Sequence, residues 1–391
     1  MLAPEPFFQP RGTPISVYFR IKALTELGHH VDLVTYHLGQ NISFRNLRIF
    51  RTPRISFIQK IKIGPSLIKI PLDIFLFCRA FFQLLIKRYD MIFTHEEASF
   101  IGLILAKFWR LPHIYDMHSC LPQQLKNFQF TRSRILIRLF QSMENAVLRQ
   151  ADSILVICPD LLDRVKKAGW AGKAFLIENF LDFESKKIIP KKIQKKQREL
   201  APSGQKIVLY AGNFQPYQGI PLLLESAALI QKKGVVFVLV GGNPFDIKKM
   251  KKKAAKLGIT KRIVFAGEVP PHDVLLYIAA ADVLVSPRIS GTNTPLKIYS
   301  QLKSGKPLVA TDLWTHSQVL NDRLAVLSAP MPRPFADAIR FALFNQEAQK
   351  RARRAKEKAD QEYTEAKYCT KMDRALKAAL ARNIHKRESS T

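Results

Sequence analysis

The chain has 391 residues, 47% of them hydrophobic, which is enough apolar surface for two domains with sizeable cores and excludes a disordered polymer. Its 62 Lys and Arg against 31 Asp and Glu give a formal net charge of +31, a field that favours a membrane surface, nucleic acid or phosphorylated ligands as partners. The four cysteines, Cys78, Cys120, Cys158 and Cys369, fall in no metal-ligand spacing and imply no disulfide framework, so a reducing, cytoplasmic setting is expected.

The N-terminus lacks a charged region followed by an apolar run, and no signal peptide is expected. Leu2 to Pro6 reads as the end of a first strand and its turn, either a short strand or the remainder of a longer one. Gly12 and Thr13 lie in the loop that follows. A helix is expected from Pro14 to Leu27, with Ile15, Phe19, Ala23 and Leu27 on one stripe and Gly28 as the stop. Val31 to Thr35 is the next strand. Phe44 to Lys69 holds short strand-like pieces in which Lys and Arg alternate with Ile and Phe. That mixture suits either docking on an anionic membrane or a solvated basic surface over an ordinary core. Pro71 to Ile86 is a strongly apolar helix interrupted by Asp73 and Arg79, so it reads as buried or interfacial rather than spanning.

Asp90 to Glu97 and His113 to Ser119 are strands with polar carboxyl ends. Ligands of open α/β sheets gather at such ends, which singles out His95, Glu96 and His118. For each histidine alone a satisfied structural role is the commoner outcome. Ala151 to Cys158 is a further strand, and Phe175 to Asp182 closes the first half. The Lys-rich run that follows reads as a linker. The expected division is therefore 1–184, a linker over 185–204, a second domain over 205–345 and a basic helical tail over 346–391.

The second half alternates strand and helix at the rhythm of a parallel sheet covered on both faces. Its centre is Val283 to Thr311: strand, polar loop, helix, turn, strand. Gly291, Thr292, Asn293 and Thr294 form a small, hydrogen-bond-rich loop, and Pro295 suits the first position of a helix. A loop feeding a helix N-terminus from a strand's carboxyl end is a ready anion site, with Arg288 and Lys297 nearby as cations. An ordinary βα turn is the plainer alternative.

Pieces in order along the chain carry a resemblance: Arg11-Gly12-Thr13, Asp116-Met117-His118, Ala151-Asp152-Ser153, Ile177-Glu178-Asn179, Tyr210-Ala211-Gly212, Val240-Gly241-Gly242, Phe265-Ala266-Gly267 and Ser304-Gly305-Lys306-Pro307. Together they resemble family 4 of the retaining GT-B glycosyltransferases over almost the whole chain. The resemblance implies an α/β, GT-B architecture of two Rossmann-like parallel-sheet domains facing a central cleft, with a C-terminal helical tail. It implies a nucleotide-sugar donor, retention of anomeric configuration, and no metal or other cofactor. By resemblance His118 takes the place of a family histidine near the sugar and acceptor. Gly12, Thr13, Asn213, Gln218, Arg288, the loop from Gly291 to Thr294, Lys297 and Ser300 would bind the donor, with His95 and Glu96 on the acceptor side.

The departures define a divergent subgroup. Thr292 and Ser300 stand where the family usually carries paired glutamates, and Asn213 and Gln218 where it usually carries Arg and Lys. The expected function is sugar transfer to a lipid-linked or polysaccharide acceptor, peripheral on the inner face of the cell membrane. A non-catalytic scaffolding protein on the same fold is the alternative. Specific nucleic-acid binding is not expected, because no zinc-finger spacing, aromatic RNA-binding motif or basic zipper appears and the charge is spread over the chain.

Overall fold

A computed structural model describes residues 1–9, 12–61, 66–123, 133–179, 189–230 and 234–389. The chain divides into two compact units, Met1–Asn179 with Glu365–Thr391, and Phe180–Thr364.

Seven strands form the first sheet: β1 Leu2–Ala3, β2 Val31–Thr35, β3 Leu47–Arg51, β4 Ile92–His95, β5 His113–Met117, β6 Ser153–Val156 and β7 Ala174–Leu176. They are all parallel, in the order β3-β2-β1-β4-β5-β6-β7. The order reverses at β1 and β4, which puts a topological switch point next to the carboxyl ends of β4 and β5. The helices between the strands are α1 Gly12–Glu26, α2 Lys69–Ile86, α3 Ala98–Trp109, α4 Arg134–Gln150 and α5 Pro159–Lys167. Contacts run α2 to α3 to α4, so these three form one layer on the sheet. The basic stretch expected as several strand-like pieces holds one strand, β3, among the described residues.

The second unit starts with α6 Pro190–Leu200. Its strands are β8 Lys206–Ala211, β9 Val235–Val240, β10 Ile263–Gly267, β11 Val283–Ser286, β12 Leu308–Thr311 and β13 Val326–Ser328. They are again parallel, ordered β10-β9-β8-β11-β12-β13. Every residue of β9 is buried, as expected where helices cover both faces and alternation disappears. The helices are α7 Ile220–Leu229, α8 Pro244–Lys256, α9 Pro271–Ala280, α10 Lys297–Lys303, α11 Trp314–Ser317, α12 Pro332–Phe344 and α13 Gln346–Glu362. The last helix, α14 Glu365–Glu388, belongs to the first unit and packs on α1 and β6. Among the described residues no helix is long and apolar enough to cross a membrane.

Two expectations about organisation are corrected. The run read as a linker over 185–204 contains α6, which packs on α9. Leu200 is buried, Gln197 Nε2 donates to the Ala280 carbonyl at 3.2 Å, and the Lys196 ammonium lies 4.8 Å from the Tyr277 ring centroid. Residues 185–188 lie outside the described set. Lysine stems cover apolar surface while their heads stay wet, so a charge-rich run can be a packed helix.

The tail expected over 346–391 is likewise not a separate module. Helix α13 buries Ala348, Ala352, Ala355 and Ala359 within the second unit. Helix α14 buries Tyr368, Met372, Ala375, Leu376 and Ala379 within the first. Alanine stripes carry little hydrophobic signal but let helices approach closely.

Backbone approach decides two glycines at the carboxyl end of the second sheet. Gly241 has φ +105°, and a Cβ there would sit 2.1 Å from the Gly212 carbonyl oxygen. Gly219 has φ +70°, and its Cβ would meet the Pro287 carbonyl oxygen at 1.8 Å. This contact presses the loop after β8 onto the loop after β11, where Ile289 N also donates to the Tyr217 carbonyl at 3.0 Å. Gly219→Ala should therefore cost about 3 kcal/mol and lower the melting midpoint by roughly 6–12 °C in a thermal denaturation scan.

Candidate functional site

In the second unit the loops after β8 and β11 meet around two cations. The Lys297 ammonium lies 4.1 Å from the Tyr210 ring centroid and 3.4 Å from Gln218 Oε1. The Arg288 guanidinium lies 5.0 Å from the Tyr217 ring centroid, and its Nη1 donates at 2.9 Å to both the Asn293 carbonyl and Thr315 Oγ1. Its buried Nε has no partner. Neither cation has a carboxylate within ion-pair distance among the described residues. Burial, then the charge of Arg288, hold Lys297 well below the usual lysine range. Burial also lowers Arg288.

The polar loop itself is anchored from beneath. Thr315 Oγ1 donates to the Asn293 carbonyl at 2.6 Å, and Gln318 Nε2 donates to the Thr292 carbonyl. His316 is wedged between Ser286 Oγ at 2.9 Å and the Thr311 carbonyl at 2.8 Å, and burial lowers its pKa to about 3. The neutral imidazole thus adds no third charge. Thr294 is buried and its Oγ1 has no partner.

The helix expected from Pro295 begins at Lys297 and has seven residues. Pro295 and Leu296 are instead carbonyl acceptors of its first turn. So short a helix supplies little dipole, and the attraction for an anion rests on the two cations instead. Ser300 Oγ donates to the Lys297 carbonyl at 2.9 Å, which leaves its oxygen able to accept. Asn213 is held by Tyr210, whose hydroxyl donates to its carbonyl at 2.6 Å. Gln218, in place of a usual cation, is a neutral acceptor against Lys297. Lys297 and Arg288 are the cations found beside these two neutral positions among the described residues.

In the first unit the carboxyl ends of β4 and β5 converge on Asp116. Arg20, from the middle of α1, grips it with two hydrogen bonds, Nε to Oδ2 at 2.9 Å and Nη2 to Oδ1 at 3.1 Å. Arg20 also donates to the Ile177 carbonyl at 3.1 Å and to the Tyr368 hydroxyl of α14 at 2.7 Å. Both members of the pair are fully enclosed. His118 Nε2 and His95 Nδ1 lie 3.0 and 3.2 Å from Asp116 Oδ2. Burial alone would raise the Asp116 pKa. The Arg20 charge and the two imidazoles outweigh it and hold the carboxyl far below the usual carboxylate range.

His95 is wholly buried and burial lowers its pKa to about 3, so it is neutral; His118 is also buried, at 5% exposure. Glu96 has a left-handed backbone, φ +46°, and its Oε2 accepts from Ser119 Oγ at 2.7 Å. Burial and the neighbouring Glu97 charge raise its pKa to about 8. The ligand-type atoms of His95, Asp116 and His118 lie within 4.8 Å of one another. Arg20 already occupies both oxygens of the carboxylate, so a divalent ion there would face a guanidinium, and the set does not fit a metal.

Gly12 and Thr13 open α1, and Gly12 is exposed with φ +46°. Arg11 lies outside the described residues. The structure brings Asn213, Gln218, Arg288, Lys297 and the loop Gly291 to Thr294 together, and separately His95, Glu96 and His118. Sequence reasoning missed Arg20, Tyr368, Tyr210, Thr315 and His316. Arg20 had one available signal: a carboxylate at the end of an apolar strand, Asp116, needs a buried cation.

Two family profiles match the chain: one described as Glycosyl transferases group 1, over residues 191–360, and one described as Glycosyltransferase Family 4, over residues 10–185. An alpha-monoglucosyldiacylglycerol synthase of Streptococcus pneumoniae is 24% identical over 238 residues, 57% of this chain and 52% of that one. A lipopolysaccharide core biosynthesis glycosyltransferase of Rhizobium meliloti, LpsE, is 28% identical over 166 residues, 42% and 45% of the two chains. The chain thus spans about half the length of the curated relatives it matches. Two solved structures share the fold. Sucrose-phosphate synthase from Thermosynechococcus elongatus has a TM-score of 0.79 at 20% identity, covering 95% of this chain and 94% of that one. Anabaena HepE in complex with UDP and glucose has a TM-score of 0.76 at 19% identity, covering 96% and 98%.

Breaking a buried ion pair from one side leaves an uncompensated charge, so Arg20→Met should destabilise the first unit by about 3–5 kcal/mol. Tyr368→Phe, which removes one neutral partner, should cost only about 1 kcal/mol. Denaturant titrations of the two variants measure the contrast.

Proposed function

The chain belongs to the GT-B glycosyltransferases of the family 4 type, and from that premise we propose that it transfers a sugar from a nucleotide-sugar donor to a lipid-linked or polysaccharide acceptor. The reaction retains anomeric configuration and takes place at the cytoplasmic face of the membrane.

One observation carries this reading: Lys297 and Arg288, two largely buried cations beside one another with no carboxylate partner among the described residues. Desolvated like charges are costly, and an anionic ligand relieves the cost. A diphosphate has the charge and the span to meet both. In the reaction the bond between the anomeric carbon and the diphosphate breaks, a bond to the acceptor hydroxyl oxygen forms, and the hydroxyl proton passes to the leaving diphosphate. The developing charge on the leaving diphosphate is what the two cations stabilise, without a metal. Thr292, Asn293 and Thr294 supply hydroxyl, amide and backbone groups around the phosphates, and the buried Thr294 Oγ1 has no partner among the described residues. Ser300 accepts from the nucleotide ribose. The assignment of Gly12 and Thr13 to the donor rests on the resemblance.

His118 is the proposed catalytic residue. Asp116 orients its imidazole, which holds a sugar or acceptor hydroxyl. Glu96, whose pKa burial and the Glu97 charge raise to about 8, is an ionisable group on the acceptor side able to exchange a proton near neutrality. The uridine nucleotide in the solved HepE complexes makes a UDP-sugar the first donor to test. The lipid and lipopolysaccharide-core products in the names of two relatives support the acceptor class. The absent paired glutamates favour one other reading, a scaffolding protein that binds without turnover.

A thermal-shift panel of UDP-, GDP-, ADP- and CMP-sugars separates them. A donor at a hundred times its dissociation constant should stabilise the protein by ~2.7 kcal/mol. Loss of a charged hydrogen bond in Lys297→Ala should weaken binding by about 10–100-fold and abolish most of the shift. No shift with any donor would favour the scaffolding reading.

A further inference from the structure

Helix α2 is apolar on the wrong side. Leu72, Leu76 and Ala80 face the sheet, as an amphipathic helix requires. The outward stripe at four-residue steps is Ile70, Ile74, Cys78, Phe82 and Ile86, all exposed, with Phe82 at 57% and Ile86 at 80%. The neighbours in the same layer continue it. Helix α3 exposes Ile104 and Phe108, the latter at 72%, and α4 exposes Ile135, at 81%, and Leu139. Scattered apolar residues on a surface need no explanation. A continuous face over three adjoining helices does.

Charge identifies what covers it. None of the three helices carries an exposed carboxylate: Asp73 is partly buried and accepts from the Tyr36 hydroxyl, Glu144 is buried and accepts from Leu121 N, and α3 has no acid. The exposed charges along the face are cations, among them Lys107, Arg110, Arg134 and Arg138. A second copy of the chain would bring the same cations against themselves. An anionic bilayer takes the apolar side chains at its acyl boundary and the cations at its phosphates.

We propose that the outward face of α2, α3 and α4 docks the protein on the surface of an anionic lipid bilayer. The proposal deepens the membrane-face part of the function above by naming the surface. It also moves that surface away from the basic stretch before α2. There Lys69 is ion-paired with Glu97, and Lys62 lies outside the described residues.

Flotation with vesicles of phosphatidylethanolamine and phosphatidylglycerol, against vesicles of phosphatidylcholine alone, tests it on the full chain. The wild type should float with the anionic vesicles and stay down with the neutral ones. Ile74→Ser, Phe82→Ser and Ile86→Ser combined change only exposed positions, so the melting midpoint and the donor-induced shift should hold while flotation is lost. Arg134→Gln with Arg138→Gln should weaken binding about twenty-five-fold, roughly fivefold per charge. Wild-type flotation by the triple serine variant would overturn the proposal, as would equal binding to neutral vesicles. So would a wild-type dimer that the serines dissociate while nothing floats, because it would make a second copy the occupant. A lost donor shift with intact flotation would sink the donor site and leave this surface standing.

Discussion

The bidentate pair between Arg20 and Asp116 is the point to which the first unit is tied. It joins the middle of α1, the end of β5, the carbonyl of Ile177 and, through Tyr368, the C-terminal helix α14. Two fully enclosed charges are expensive to desolvate, so such a pair is weak support for net stability. What the geometry does show is connectivity, since the guanidinium bonds α14 as well as β5. Only an arrangement that seats α1 and α14 together satisfies the guanidinium, and a chain end more than three hundred residues away in sequence is thereby fixed to the first sheet. The same carboxylate oxygen lies against His95 and His118, so the pair that closes the fold also orients the imidazole proposed to meet substrate.

The second unit handles charge in the opposite way. Lys297 and Arg288 are largely buried, adjacent and without an acidic partner among the described residues. Tyr210 and Tyr217 present ring faces, Gln218 an amide oxygen, and the loop a carbonyl. Aromatic faces and neutral acceptors hold a cation in place without neutralising it. The first unit therefore pairs its buried charge internally, and the second leaves two cations without a carboxylate partner among the described residues, which is what the proposed donor role rests on. A neutral residue at 218 fits this balance: Gln218 is buried against Lys297, and a cation there would add repulsion.

Much of the fold was legible because apolar runs bounded by glycine and proline marked the strands, and the loop Gly291 to Thr294 announced itself by composition. What stayed hidden has physical reasons. Arg20 reads as a surface residue of an amphipathic helix, since its burial depends on Asp116, 96 positions later. The alanine stripes of α13 and α14 and the lysine stems of α6 bury area that a hydrophobicity pattern underweights. Helix α2 is apolar on most sides, which left buried and interfacial readings open until its outward face was seen to be uncovered. His95 and His118 looked equivalent as strand-end histidines. The structure buries both, so their difference in proposed role rests on the resemblance.

The unmatched cations are the centre of the functional account, and their protonation tests it most directly. Burial lowers the Lys297 pKa in the free protein, and a bound diphosphate would raise it again. A pKa that rises on binding means proton uptake, and affinity that falls as pH rises through the depressed free-state value. Calorimetric titration of UDP in two buffers of different ionisation enthalpy, over a pH series that lies below the ordinary lysine range, reads the uptake as a difference in apparent heat. The account predicts net proton uptake at pH values above the depressed free-state pKa of Lys297, and no such uptake in Lys297→Met. UDP binding of undiminished affinity with no proton uptake in the wild type, unchanged by Lys297→Met, would contradict it.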